Sequence, residues 1–285
     1  MTAFTYIDLE EPEGRTATRW VQPPQITYLV TTIDGKGNIN STPVTMGTCV
    51  GPTRNYAFAL SQLPGLGPKQ ARDNLAENPE CVISYVGYDL LRESWIAGMP
   101  IPRGISELDV AGLTPLPSRK VKPCGIQECA VNLEAKVVAT VEMPPHHILY
   151  VCSVVGVQVN AEYAAQDREV WNGMGVLAID PVFEVLIGPG ETGNCRLYYA
   201  RMDMDSIERA PEDIGCQGNF WIGTFERWIA GEQERGKVSE GERREIMELR
   251  QAWEADPDPV AHAEVKARLT AWLKKIVAKP PAAAA

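Results

Sequence analysis

The sequence predicts a mainly antiparallel β-barrel or sandwich with a short inserted helix, followed by a helical extension. Three observations carry that expectation. Runs such as QITYLVTTI and CVISYVG are rich in β-branched and aromatic residues and are bounded by turn chemistry. CAVNLEAKVVATVE alternates apolar and polar residues at the period of a strand, through Val131, Leu133, Ala135 and Val137. Beyond Arg201 the period changes, and apolar residues recur at helical spacing.

The elements follow in order. Residues 1–20 read as an irregular lead-in. QITYLVTTI, from Gln25 to Ile33, reaches Asp34-Gly35 and Gly37-Asn38, which predict a hairpin turn. The returning segment, GNINSTPVT, is polar for a strand and holds Pro43, which has no N–H to donate to a ladder. NYAFALS predicts another strand and leads into the loop QLPGLGP. PKQARDNLAENP predicts a short helix stopped at Asn78-Pro79, with the strand CVISYVG directly after it.

Residues 89–123 are proline-rich and read as loop, with a short helix around Glu107 to Leu113. HILYVCSVVGVQVN is apolar almost throughout, as a central strand would be, and VFEVLIG is the last β signal. In the extension, NFWIGTFERWI places Trp221, Phe225, Trp228 and Ile229 on one helical face. Ser239 and Glu242 have the spacing of a capping box ahead of Ile246, Leu249 and Trp253. Pro259 suits a first helical turn before Val265, Leu269, Trp272 and Ile276, and PPAAAA reads as a frayed tail. These aromatic stripes are read as packing surfaces, against the barrel or a second subunit. The expected division is a barrel over residues 1–200 and a helical extension over 201–285.

Composition narrows the function. With 285 residues the chain can bury a sizeable core, and its net charge of −10 argues against a nucleic-acid surface. The acidic N-terminus has no apolar leader, and no apolar run is long enough to span a membrane. Seven scattered cysteines fit a reducing compartment, so the expected location is cytoplasmic.

Cys124 and Cys129 are too far apart for a CxxC knuckle, and adjacent His146 and His147 would point to opposite sides of a strand. No metal site is expected. There is no GxSxG elbow, and LPGLGPK matches neither a Walker loop nor GxGxxG. The short hydroxyl and amide side chains of GNINSTPVT, with Lys69 and the nearby helix N-terminus, could hold a phosphate, although such residues near a turn are commonly only turn formers.

In this order, TYLVTTIDGKGNINSTPVT, PKQARDNLAENPECVISYV, PRGISELDVAGLTPLPSRKVKPCGIQECAVNLEAKVV and HHILYVCSVVGVQVN resemble the flavin reductase-like, FMN-binding split-barrel proteins of the flavoredoxin type. The resemblance runs from about Pro24 to about Ile187. It implies a split β-barrel, usually a homodimer, with FMN near the subunit interface. Asn40, Pro43 and Thr45 match the family's N-x-x-P-x-S/T strand, with Ser41 and Thr42 between them. Lys69 and Asn74 match the phosphate region, with Ala71 where a threonine is common; Lys69, Arg72 or Ser61 could take its place.

His147, or His146 one position away, matches a histidine near the nicotinamide, and Cys152 stands where a glycine is usual. The implied activity is hydride transfer from NAD(P)H to bound flavin, then onward to a diffusible flavin, a partner monooxygenase or a small organic substrate. The alternatives are a flavoprotein that reduces its own organic substrate, and a non-catalytic flavin or haem carrier or sensor on the same barrel.

Overall fold

The computed structural model describes residues 4–11, 25–51, 54–61, 69–143, 147–165, 176–179, 184–186, 194–196, 199–202, 207–209, 224–255 and 262–278. The first half is built from β1 (Gln25–Ile26), β2 (Tyr28–Ile33), β3 (Ile39–Val44), β4 (Gly47–Cys49), β5 (Asn55–Ser61), α1 (Gln70–Glu77) and β6 (Glu80–Tyr85). A helical insert follows, α2 (Leu91–Ala97) and α3 (Glu107–Ala111), then the short strands β7 (Pro115–Leu116) and β8 (Gly125–Ile126). The long hairpin β9 (Val131–Met143) and β10 (His147–Val159) precedes α4 (Ala161–Ala165).

The main sheet has seven antiparallel strands in the order β3-β2-β6-β9-β10-β5-β4. Its two edge strands, β3 and β4, are neighbours in the chain with only Thr45 and Met46 between them. Two residues span well under 10 Å, so the edges must approach and the sheet must curl. The Ala59 amide donates to the Met46 carbonyl at 2.8 Å and ties that connector to β5. The result is a half-closed barrel with its split beside β3.

The β2–β3 hairpin closes as its turn residues predict. Gly37 takes φ +87°, and the Asp34 carboxylate accepts bonds from the amides of Lys36 and Asn38 at 2.9 and 2.8 Å. The alternation on β9 also appears as expected: Val131, Leu133 and Ala135 are buried inside the barrel with Val30, Phe58, Leu60, Ile83 and Tyr150, and Val137 packs against them. From the inner face of α1, Ala71 and Leu75 complete that core.

A second core lies on the outer side of the sheet. Leu29 meets Trp95, Ile96, Ile105 and Leu108 of the insert there. The C-terminal helices α5 (Phe225–Glu234), α6 (Glu240–Ala255) and α7 (Ala263–Ala278) bury Trp228, Ile246, Trp253, Leu269, Leu273 and Ile276 into the same cluster. The extension therefore packs on the insert of its own chain. Polar ties reinforce it: the Trp253 indole donates to the Arg103 carbonyl at 2.8 Å, Lys274 pairs with Asp109 at 2.6 Å, and Arg92 donates to the Val277 carbonyl.

Two differences from the sequence reading stand out. Helix α2 lies in the stretch read as loop. Its flanking prolines suggest a break, yet Leu91, Trp95 and Ile96 fall on one face and are buried. VFEVLIG holds a strand as expected, but the β signals also continue past it. Strand β11 (Val176–Ile179) precedes β12 (Glu184–Leu186) of VFEVLIG, which pairs with β13 (Asn194–Arg196), and β14 (Tyr199–Met202) and β15 (Ile207–Arg209) join β11 and β1 in a second sheet. These strands have three or four residues each, too few for periodicity to register. Trp221 and Pro259 lie outside the described residues.

Candidate flavin site

The polar strand β3 runs along the split edge of the barrel. Pro43 suits an edge position, where no second ladder asks for its missing N–H. Register with β2 pairs Asn40 with Thr32, Ser41 with Thr31 and Thr42 with Val30. Asn40 and Thr42 thus share the face of Val30, toward the barrel interior, while Ser41 shares the face of Leu29, toward the helices. Asn40, Ser41 and Thr42 are all buried; Pro43 and Thr45 are half-buried.

At the free edge of β3 stands Glu107, the first residue of α3. Its Oε1 accepts from Asn40 Nδ2 at 2.7 Å and its Oε2 accepts from the Ser41 amide at 2.9 Å. Burial pushes this carboxyl up to about 8, against the opposing pull of the bonds it accepts from the Ser41 amide, its own amide and Asn40. Sequence reading missed Glu107 as part of the site. An acid in ELDVAGL reads as the solvated side of a short helix, and its partners lie 66 and 67 residues earlier.

Helix α1 packs against β2 and β3. Asn74 is buried and donates from Nδ2 to Thr32 Oγ1 at 3.1 Å, so part of its hydrogen-bonding capacity is spent within the fold. Lys69 is the N-cap residue, in extended conformation and with no side-chain cap bond. A lysine cannot accept from the helix amides, which leaves that end suited to an external anion. Desolvation holds the Lys69 ammonium below the usual lysine range. Ala71 turns into the barrel core and is 1% exposed, so its missing hydroxyl matters only to a ligand reaching that inner face.

Ser61 and His147 are Cα partners across the β5–β10 ladder at one end of the barrel. Arg72, in the first turn of α1, hydrogen-bonds the Tyr150 hydroxyl. That contact sets the start of α1 against β10, three residues from His147. The structure therefore sets Ser61 beside His147 at one end of the barrel, and Asn40 and Thr42 on β3 with α1, which carries Asn74, packed against that strand. Ser41 faces the other way. His146 and residues 62–68 lie outside the described residues. A separate cleft of about 140 Å³ lies at the β2–β3 turn, lined by Asp34, Lys36, Glu77, Arg103 and Trp253, and does not include Lys69. Cys124 and Cys129 are buried free thiols, and no described helix is long and apolar enough to cross a membrane.

A curled antiparallel half-barrel with a polar split edge, packed with helices on its outer side, defines the chain as a split barrel. The family described as flavin reductase like domain is matched over residues 22–176, and the chain belongs to that family, whose membership implies flavin binding. Among curated relatives, it is 35% identical over 125 residues to the uncharacterised protein YdfE of Bacillus subtilis (strain 168), covering 39% of this chain and 57% of that one. It is 38% identical over 82 residues to an uncharacterised protein of Pyrococcus abyssi, covering 28% of this chain and 46% of that one. The chain thus spans about half the length of the curated relatives it matches.

Solved structures agree on the fold. Nitrilotriacetate monooxygenase component B from Bacillus cereus superposes with TM-score 0.58 at 17% identity, covering 74% of this chain and 98% of that one. The 2-nitrobenzoate 2-nitroreductase NbaA of Pseudomonas fluorescens gives 0.53 at 15% identity, covering 78% and 98%. Flavoredoxin of Desulfovibrio vulgaris (Miyazaki F) gives 0.50 at 18% identity, covering 56% and 84%.

Proposed function

We propose that this chain is an FMN-dependent oxidoreductase that takes hydride from NADH or NADPH and passes electrons to a free flavin, a partner oxygenase or a small organic acceptor. The observation that carries the proposal is the polar edge of β3 lying against α1, whose N-terminus is headed by Lys69 and lacks a side-chain cap. That donor set suits a ligand with an anionic phosphate at one end and a polar-edged ring at the other.

Lys69 and the first turn of α1 hold the phosphate, with Ser61 beside them. Asn40, Thr42, Pro43 and Thr45 border the ring, Ser41 holds the strand from its far side, and Asn74 keeps α1 seated on β2. His147, at the mouth of the barrel beside Ser61, lines the place where a nicotinamide would stack. When bound, the flavin supplies the hydride acceptor on its ring. The chain's task is to orient two flat rings and exclude water, and no side chain is required to move a proton in that step.

We further read the protein as a cytoplasmic homodimer. Exposed valines at both ends of the β9–β10 hairpin, Val138 and Val141 at one and Val157 and Val159 at the other, are the contact positions this reading uses. The monooxygenase component among the structural neighbours supports a partner oxygenase as acceptor, and the nitroreductase supports an organic one.

The test is the visible spectrum of the purified protein. Oxidised-flavin bands, with FMN rather than FAD on extraction, and anaerobic bleaching by NADH or NADPH are expected. A colourless protein that takes up no flavin would refute both enzyme readings. A flavin that neither nucleotide reduces would instead mark a carrier or sensor.

A further inference from the structure

The atom that Asn40 leaves over, and the residue that decides which atom it is, point beyond the reading above. Two donors converge on the Glu107 carboxyl, and they differ in kind. The Ser41 amide is backbone within β3 and cannot turn away, so whatever stands at Oε2 must accept. Asn40 can turn its amide over by half a rotation, and what it presents to Oε1 depends on what Oε1 offers. Facing an ionised carboxylate, Asn40 gives its NH2 group, as it does here at 2.7 Å. Its Oδ1 is then left over, buried and with no partner among the described residues. A buried acceptor without a donor is costly in a folded protein and characteristic of a place where a ligand supplies the donor.

We propose that Glu107 is a positioning residue that sets the hydrogen-bonding polarity of Asn40, so that the ionised form offers Oδ1 to an N–H group on the edge of a bound ring. The inference rests on the flavin reading, in which that group is the ring imide. It adds a residue of α3, bound at the free edge of β3, that acts through Asn40.

The protonated acid reverses the arrangement. Ser41 still requires an acceptor at Oε2, so the proton resides on Oε1 and donates to Asn40, whose amide turns over and leaves NH2 outward. Two donors then face each other at the ligand, and binding weakens. Because burial raises the carboxyl to about 8, the protonated form leads at neutral pH and the ionised form takes over above about 8.

The surrounding charged groups lie on α2 and α7. On α2, Arg92 donates to the Val277 carbonyl and Glu93 is half-buried. On α7, Lys274 pairs with Asp109 of α3 and Lys275 with Glu242, while Glu264, Lys266 and Arg268 lie in its first half. β3 carries no charged residue, and no charged group is among the causes of the Glu107 shift.

Glutamine is the informative substitution. In Glu107→Gln the carbonyl must stay on the Ser41 amide, so the NH2 faces Asn40 permanently. Both intrachain bonds survive, the fold is kept, and the presented polarity is fixed in its weak-binding form.

The experiment is a fluorescence titration with riboflavin, which carries the ring without the titratable phosphate, from about pH 6 to about pH 9. FMN is run in parallel, and thermal unfolding serves as the fold control. Wild type should bind riboflavin about tenfold more tightly at the top of the range than at the bottom, with a midpoint near 8. Glu107→Gln should be flat and match the weak limb. A flat wild-type profile overturns the proposal without any variant, as does a Glu107→Gln profile that still rises. A wild type that binds neither FMN nor riboflavin at any pH overturns the flavin reading itself, and this inference with it.

Discussion

Glu107→Gln also makes a prediction that needs no ligand, because the buried carboxyl couples folding to pH. A glutamate in the unfolded chain titrates near 4.5, whereas Glu107 in the fold titrates at about 8. Between those values the native state keeps a proton that the unfolded chain has already released. The stability this group contributes is therefore full below about 4.5 and is lost as the pH rises through about 8. Each pH unit in that window is worth about 1.4 kcal/mol, so the whole span amounts to roughly 5 kcal/mol as an upper limit. Glutamine cannot titrate and removes the slope without removing the side chain. Urea unfolding of both proteins at about pH 5 and about pH 8 should show the wild-type stability, relative to the variant, falling by roughly 3–5 kcal/mol. All other titrating groups cancel in that difference. A difference constant to within about 0.5 kcal/mol would refute the reasoning, since it would mean that Glu107 titrates alike in both states.

Three further outcomes follow from other parts of the molecule. Lys69→Ala should weaken FMN retention by roughly 10- to 100-fold, more than His147→Ala does, while leaving riboflavin affinity unchanged; equal FMN occupancy in Lys69→Ala and wild type would place the phosphate elsewhere. Gly104→Ala should destabilise the fold by about 1–3 kcal/mol in urea, because φ there is +86° and a Cβ would stand 2.9 Å from Trp253 Cζ2; an unchanged midpoint would show that the loop and α6 yield to one another. Leu269→Ala, at a fully buried site, should cost about 2–5 kcal/mol and lower one cooperative transition. A second transition appearing alone would show that α5–α7 fold as a unit separate from the insert.

The barrel was legible in the sequence wherever a strand was long or its turn carried its own chemistry. Asp34 through Asn38 specify the hairpin by bonds among themselves, and the capping box reads equally locally: Ser239 N meets Glu242 Oε2 at 2.8 Å, and Glu242 N meets Ser239 Oγ at 3.3 Å. Helix α2 was hidden because Pro100 and Pro102 lower the helical signal of the stretch, while what stabilises α2 is burial of Trp95 and Ile96 against distant helices. The site divides in the same way. The polarity of β3 could be seen, but which of its residues face the split could not, because that depends on the register of Asn40 with Thr32 and on a carboxyl from another segment. Asn74 shows the converse: the resemblance marks it for a ligand, yet Thr32 takes one of its donors.

The cost of β3 is the strongest internal argument that its polarity serves a ligand. Asn40, Ser41 and Thr42 are buried against Thr31 and Thr32, where an apolar strand would pack without desolvating a single hydroxyl. Some of that cost is recovered: Glu107 accepts from Asn40 and Ser41, and Thr32 accepts from Asn74. Some is not, since Thr31 Oγ1, Ser41 Oγ and Asn40 Oδ1 find no partner among the described residues. Packing alone gives no reason to keep three such atoms on β3 and the strand beside it, and a structural network would close on itself. Of the three, only Asn40 Oδ1 belongs to a side chain on the barrel side of β3, the side that α1 and Lys69 adjoin. The polarity of the strand is therefore half satisfied at its free edge, by Glu107, and half left open at Asn40 Oδ1, which is the arrangement expected of an edge that holds a ring by hydrogen bonds.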